Sequence, residues 1–161
     1  MNSRNVPASG AAVVGVVFSN ADEAYRPAVE EFGEKIGVAF QLIDDVIDLS
    51  TAIEQTGKAA GTDLRAGVPT LPLLYLRRDA ETDADAAALL GRLEASAVAD
   101  ADPAAFSAAV AELRDHRVTA DTLAEARRWS AGAVAALDVL PAGPVKKSLT
   151  RFAEAIVERS S

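Results

Sequence analysis

The chain has 161 residues, half of them hydrophobic and 5% aromatic, which is long enough to bury a real core. Its 16 Lys and Arg against 24 Asp and Glu leave a net charge of −8, which argues against nucleic acid and anionic membrane surfaces as partners. The sequence has no cysteine, which excludes disulfides, zinc-thiolate sites and thiol nucleophiles.

The predicted elements are all helical, and a single helical domain over 1–161 is expected. Alanine is abundant, which favours helix and close helix packing; there is no strand alternation and no internal repeat. A short, very apolar helix over 8–19 ends at Ser19 and Asn20. Its apolar run, Gly10 to Phe18, is too short to span a bilayer. No secretory signal is expected in 1–10, so a reducing cytoplasm is the expected compartment. A long helix follows from about Asp22 to Ser50, with Pro27 in its first turn and Val29, Phe32, Ile36, Phe40, Ile43 and Ile47 as its core stripe. Thr70 is the expected N-cap of a helix over 71–78, with Pro72 tolerated in the first turn. Thr82 and Asp85 make a capping-box pattern that opens a helix to about Glu94. Asp102 followed by Pro103 opens another to about His116, and Thr119 or Asp121 starts the next, which reaches Leu140. Pro141 to Pro144 break the chain, and the last helix covers 144–158. The Ala- and Asp-rich segment 79–102 reads as the linker-like stretch. His116, the single histidine, is expected as a solvated helix-end residue, Trp129 as a packing residue, and Lys146 and Lys147 on a solvated face.

Inside the long helix, Asp44, Asp45 and Asp48 interrupt a stretch that is otherwise Ile, Val, Leu, Phe and Ala. A carboxylate in apolar surroundings requires a partner. Asp44 and Asp48 are four residues apart, so they project from one helix face about 6 Å apart along the axis. Gln41 and Gly37 continue that stripe, and Asp45 sits about 100° around from Asp44. Read alone, the pattern suits either a solvated helix face or a cluster of hard oxygens for Mg²⁺ that also takes a phosphate ligand. A glycine-rich segment follows: Gly57, Lys58, Gly61, Thr62, Asp63, Leu64, Gly67, Val68, Pro69, Thr70. It reads either as a helix connection or, taken with the Asp stripe, as a diphosphate clamp. Glycines allow close backbone approach and Lys58 supplies a mobile point charge. The glycine spacing is not that of a Walker loop.

Together these two segments resemble the second aspartate-rich region of the trans-type polyprenyl diphosphate synthases. That region runs Gly-x-x-Phe-Gln-x-x-Asp-Asp-x-x-Asp, then Gly-Lys-x-x-Gly-x-Asp-Leu, then Thr-Leu-Pro, and all three elements are present in order. The resemblance extends upstream through Glu31 to Glu34 and downstream through Leu73 to Arg77. More loosely it reaches Arg159, so it covers about residues 8–159. Family members are longer and carry a first aspartate-rich motif in an N-terminal half that nothing in 1–30 resembles. A Lys-Thr pair of the family falls near Ser3 and Arg4, where the likeness is lost. The chain looks like the C-terminal half of such a synthase.

The resemblance implies an all-α, partial isoprenoid-synthase-type helical bundle. It implies Mg²⁺-dependent head-to-tail condensation of isopentenyl diphosphate with an allylic diphosphate. Asp44, Asp45 and Asp48 are then assigned to the metal: Asp44 as a direct ligand, Asp48 directly or through water, Asp45 one step removed. Lys58, Gln41 and Asp63 are the expected catalytic groups, with Lys58 on the diphosphate and the other two orienting groups near it. Phe40 would line the apolar cavity and Arg159 would approach the diphosphate. Val68 stands where some short-chain members carry Lys. With one aspartate-rich cluster, the chain is expected to be inactive alone and to form a homo- or hetero-oligomer, with a complementary chain supplying the first motif. The alternatives are a non-catalytic regulatory or binding subunit and a truncated remnant.

Overall fold

A computed structural model describes residues 22–50, 60–99 and 102–159. The expected helix over 8–19 and the start of the glycine-rich segment, including Lys58, lie outside them. The elements among the described residues are helices and short 3-10 turns, as the helical periodicity predicts in the main, and no strand occurs there; the one-turn helix Thr62–Arg65 and the 3-10 turns carry no such periodicity. The chain divides into two compact units, one combining the part up to Ile43 with the part from Glu125 onward, the other running from Asp44 to Ala124.

In the first unit, Asp22 accepts a hydrogen bond from Ala24 N at 3.0 Å and opens a 3-10 turn over Glu23–Tyr25. Helix α1 (Arg26–Ile47) follows. Its buried face is Val29, Phe32, Ile36, Ala39 and Ile43, so Phe40 is not in the core as expected. Phe40 shares an i, i+4 stripe with Asp44 and Asp48, and that stripe is the more open side of the helix, with the ring exposed and the two carboxylates half-buried. The stripe advances by three at Ile36, to Ala39. At the other end of this unit Ala126, Ser130, Ala133 and Leu137 are buried. Ser130 Oγ donates to Ala153 O at 2.9 Å, and Lys35 Nζ donates to Glu31 Oε1 at 2.5 Å and to Gly132 O at 3.4 Å. Small residues at these positions let helices approach closely. Trp129 is half-buried.

The second unit holds a core of Leu49, Leu64, Leu73, Leu76, Ala86, Leu89, Leu93, Phe106, Ala109, Val110, Leu113 and Val118. Its helices are α2 (Thr62–Arg65), α3 (Leu71–Asp79), α4 (Ala84–Ala99) and α5 (Pro103–Asp115). The helix expected to about Glu94 is present as α4 and runs on to Ala99; it packs on α3 and α5 and delivers Ala86, Leu89 and Leu93 to the core, so the stretch is not linker-like. Alanine there reflects close packing, not a spacer. Its cap is Asp83, one residue after the expected Thr82: Asp83 Oδ1 accepts from Asp85 N at 2.9 Å and Ala86 N at 3.3 Å. Asp102 caps α5 by accepting from Ala105 N at 2.9 Å, as expected.

Helix α6 (Arg117–Ala136) begins earlier than Thr119. His116 is extended and half-buried, and its Nδ1 accepts from Val118 N at 3.3 Å, so it separates α5 from α6 in a single residue. A 3-10 turn over Leu137–Val139 and the Pro141 to Pro144 break lead to α7 (Pro144–Glu158).

One buried charge ties this unit together. Asp79, at the end of α3, accepts from Arg78 Nε and Nη2 at 3.0 and 2.9 Å and from Arg117 Nη2 at 2.6 Å. The Arg78 hydrogen bonds hold its carboxyl below the ordinary 3.8; desolvation opposes them, and the charges of Arg117, Arg78 and His116 add to them. A lowered carboxylate pKa stabilises the fold fully above the ordinary value, and that stability is lost as pH falls through the folded-state value. Asp79→Asn therefore removes the part of the acid-side drop in Tm that Asp79 causes, and lowers Tm at neutral pH. Circular-dichroism melts from roughly pH 6 to pH 3 check this; parallel curves for the two proteins would overturn it.

Candidate functional site

The last two turns of α1 carry the aspartates. Asp48 N donates to Asp44 O at 2.9 Å, so the helical turn continues through Asp48, and Asp44 and Asp48 rise from one side. Both are half-buried, while Phe40 and Gln41 one turn earlier are exposed. Phe40, at 40% exposure, lies under the Arg159 guanidinium, whose centre is 5.2 Å from the ring centroid. That stacking of cation on ring holds the C-terminal arginine over α1.

Asp45 faces another way. It is 7% exposed, and its Oδ2 accepts from Leu71 N, the first amide of α3, at 3.0 Å. Thr70 occupies the N-cap position as expected, but its side chain makes no capping bond; its Oγ1 is buried without a hydrogen-bond partner. The cap comes from 26 residues upstream.

Asp48 holds the glycine segment twice. Its backbone oxygen accepts from Gly61 N at 2.7 Å and its Oδ2 accepts from Asp63 N at 3.0 Å. Gly61 has φ 72°, in the left-handed region that favours glycine. An added Cβ would lie 2.7 Å from Val110 Cγ2 and 3.2 Å from Phe106 Cε1. Helix α2 then makes one turn and ends at Gly67, φ 74°. Gly67 N donates to Leu64 O at 3.1 Å and Val68 N to Asp63 O at 2.9 Å, the paired bonds of a Schellman motif. The segment that reads as a flexible connection is a built structure with its own caps.

Among the described residues no three His, Cys, Asp or Glu side chains form a group that could hold a metal ion. The expected trio Asp44, Asp45 and Asp48 separates because adjacent helix positions diverge by about 100°, and Asp45 is directed at Leu71. The donor chemistry of Asp44 and Asp48 nonetheless fits Mg²⁺. They are hard oxygen donors from one face, and a carboxylate that accepts one amide keeps further lone-pair sites.

Asp63 is half-buried in α2. Val68 is 43% exposed. The cap on Leu71 is what the sequence does not reveal, because nothing in it links Asp45 to position 71.

The family model described as Polyprenyl synthetase matches residues 8–108. An octaprenyl diphosphate synthase of Haemophilus influenzae is 31% identical over 144 residues, covering 89% of this chain and 42% of that protein. Component 2 of heptaprenyl diphosphate synthase from Bacillus subtilis is 42% identical over 62 residues, 38% of this chain and 18% of its own length. The crystal structure of a polyprenyl synthase from Caulobacter crescentus, complexed with calcium and isoprenyl diphosphate, superposes with a TM-score of 0.80 at 30% identity. That match covers 96% of this chain and 46% of the Caulobacter chain. The all-α fold is thus that of the isoprenoid synthases, and the chain belongs to the polyprenyl synthetase family. It spans less than half the length of these relatives.

Proposed function

We propose that this chain supplies the second aspartate-rich half of a head-to-tail prenyl transfer site. The supporting observation is the shared face of Asp44 and Asp48 at the end of α1, with Asp48 bound to the Gly61–Asp63 backbone. In the proposed reaction an allylic diphosphate loses its diphosphate, the double bond of isopentenyl diphosphate attacks the allylic cation, and a proton leaves. The product is longer by one isoprene unit. Asp44 and Asp48 would hold Mg²⁺, which when bound supplies Lewis-acid neutralisation of the departing diphosphate. On the family resemblance, Lys58 would meet the diphosphate as a point charge, Gln41 and Asp63 would orient groups beside it, and Arg159 would approach it. The resemblance also gives Phe40 a place in the lining of an apolar cavity, which keeps water from the cation.

A second carboxylate cluster is needed to complete such a site, and we assign it to another polypeptide segment or chain. Exposed apolar side chains of the first unit favour a partner: Val38 and Phe40 on α1, Val145 and Phe152 on α7. So does the Bacillus relative, named as one component of a synthase. Among the described residues no helix is long and apolar enough to cross a membrane.

Calorimetric titration with inorganic pyrophosphate tests the reading. Binding should require Mg²⁺ and should be lost, weakened at least about tenfold, in Asp44→Ala. Equal binding by both proteins, or none by the folded wild type, would overturn it.

A further inference from the structure

Three features of α1 and α3 remain unused by a metal-binding role. Asp45 is buried where a metal ligand needs access, its Oδ2 already accepts from Leu71 N, and the local cap candidate, Thr70 Oγ1, bonds to nothing. The first amides of a helix lack intrahelical acceptors, and Asn, Asp or Ser oxygens satisfy them about equally well. A carboxylate there also meets the positive end of the helix dipole.

We propose that Asp45 is a positioning residue. It caps α3 through Leu71 N and, with Asp48 on Asp63 N, fastens segment 60–71 at two points to the C-terminal end of α1. The two bonds fall at opposite ends of the Schellman-capped turn, one on the first turn of α2 and one on the first turn of α3. Segment 60–71 is thereby ordered before a diphosphate arrives, which lowers the ordering cost that opposes binding. Within the aspartate-rich motif the labour divides: Asp44 faces the ligand, Asp45 faces the fold, and Asp48 serves both. This rests on the proposed Mg²⁺–diphosphate role for its effect on binding, but not for the cap itself.

Two variants of the full chain separate the roles. Asn at position 45 keeps an oxygen for Leu71 N and loses the charge a metal ligand needs; Ala loses both. Amide hydrogen exchange at Leu71 and calorimetry with Mg²⁺ and inorganic pyrophosphate are the readouts. Asp45→Ala should speed Leu71 exchange about tenfold and weaken pyrophosphate about fivefold. Asp45→Asn should stay within about twofold of wild type in both. Asn as damaging as Ala to pyrophosphate binding, with Leu71 still protected, would identify Asp45 as a ligand and overturn the proposal. Unchanged Leu71 exchange in Asp45→Ala would overturn it as well. Should the wild type bind no pyrophosphate, the proposed function fails, while Leu71 exchange still decides the cap.

Discussion

Gly61→Ala lowers the unfolding free energy by about 3 kcal/mol, with the urea midpoint falling and the m-value unchanged. Two terms add. An L side chain at φ 72° costs about 1–2 kcal/mol in the left-handed region. The new methyl would also sit 2.7 Å from Val110 Cγ2 and 3.2 Å from Phe106 Cε1, where overpacking a core costs about 1–3 kcal/mol. Both neighbours are among the most buried side chains of the second unit and cannot step aside cheaply. Gly67→Ala is the internal control. Its φ is 74° but nothing lies within 4 Å of its Cβ, so only the backbone term of about 1–2 kcal/mol applies. The difference between the two variants is the packing term, and adding Val110→Ala to Gly61→Ala should return part of it. Equal losses at positions 61 and 67 would mean that Gly61 is held only by its backbone. The site is involved because Gly61 N is also the donor to Asp48 O: a chain displaced at Gly61 pulls on the carbonyl of a proposed metal ligand.

The sequence made the Asp44 and Asp48 face legible because helical spacing alone puts residues four apart on one side. The caps at Asp102 and the boundaries near Pro144 were legible for the same local reason. Phe40 was misplaced because apolar spacings of three and four are both helical, and the choice between Ala39 and Phe40 depends on what the Asp stripe must face. Within 79–102 the capping pattern makes the helix to Glu94 legible, but not its extension to Ala99 or its packing, because alanine signals both spacer and close contact and only the partners Leu113 and Phe106 in the core distinguish them. The 100° step of the helix sets Asp45 apart from Asp44 in the sequence, but its partner Leu71 is fixed by the path of the intervening chain, which no local pattern encodes. Gly61 looked like one loop glycine among several; its necessity comes from two side chains on α5, more than 40 residues later.

Supplying a chain that bears the first aspartate-rich cluster should raise Mg²⁺-dependent condensation of isopentenyl diphosphate with an allylic diphosphate above the level of this chain alone. In that assembly Asp44→Ala should lower kcat/KM by about 10²–10³-fold, the scale of losing one preorganised group that stabilises transition-state charge. Asp44→Asn should be nearly as damaging, because a neutral amide cannot balance a divalent cation as a carboxylate does. Position 45 should behave differently, tolerating Asn, since an amide oxygen satisfies Leu71 N. That contrast between neighbouring aspartates is a sharper test than either substitution alone: a general electrostatic role for the motif predicts similar losses at 44 and 45, and a fold-only role predicts tolerance of Asn at both. A partner whose product length shifts on adding this chain, with no dependence on Asp44, would instead favour the regulatory-subunit reading. The kinetics and the pyrophosphate titration then bear on separate links, one on whether Asp44 and Asp48 form a binding face, the other on whether that face completes a catalytic site when a second carboxylate cluster stands opposite it.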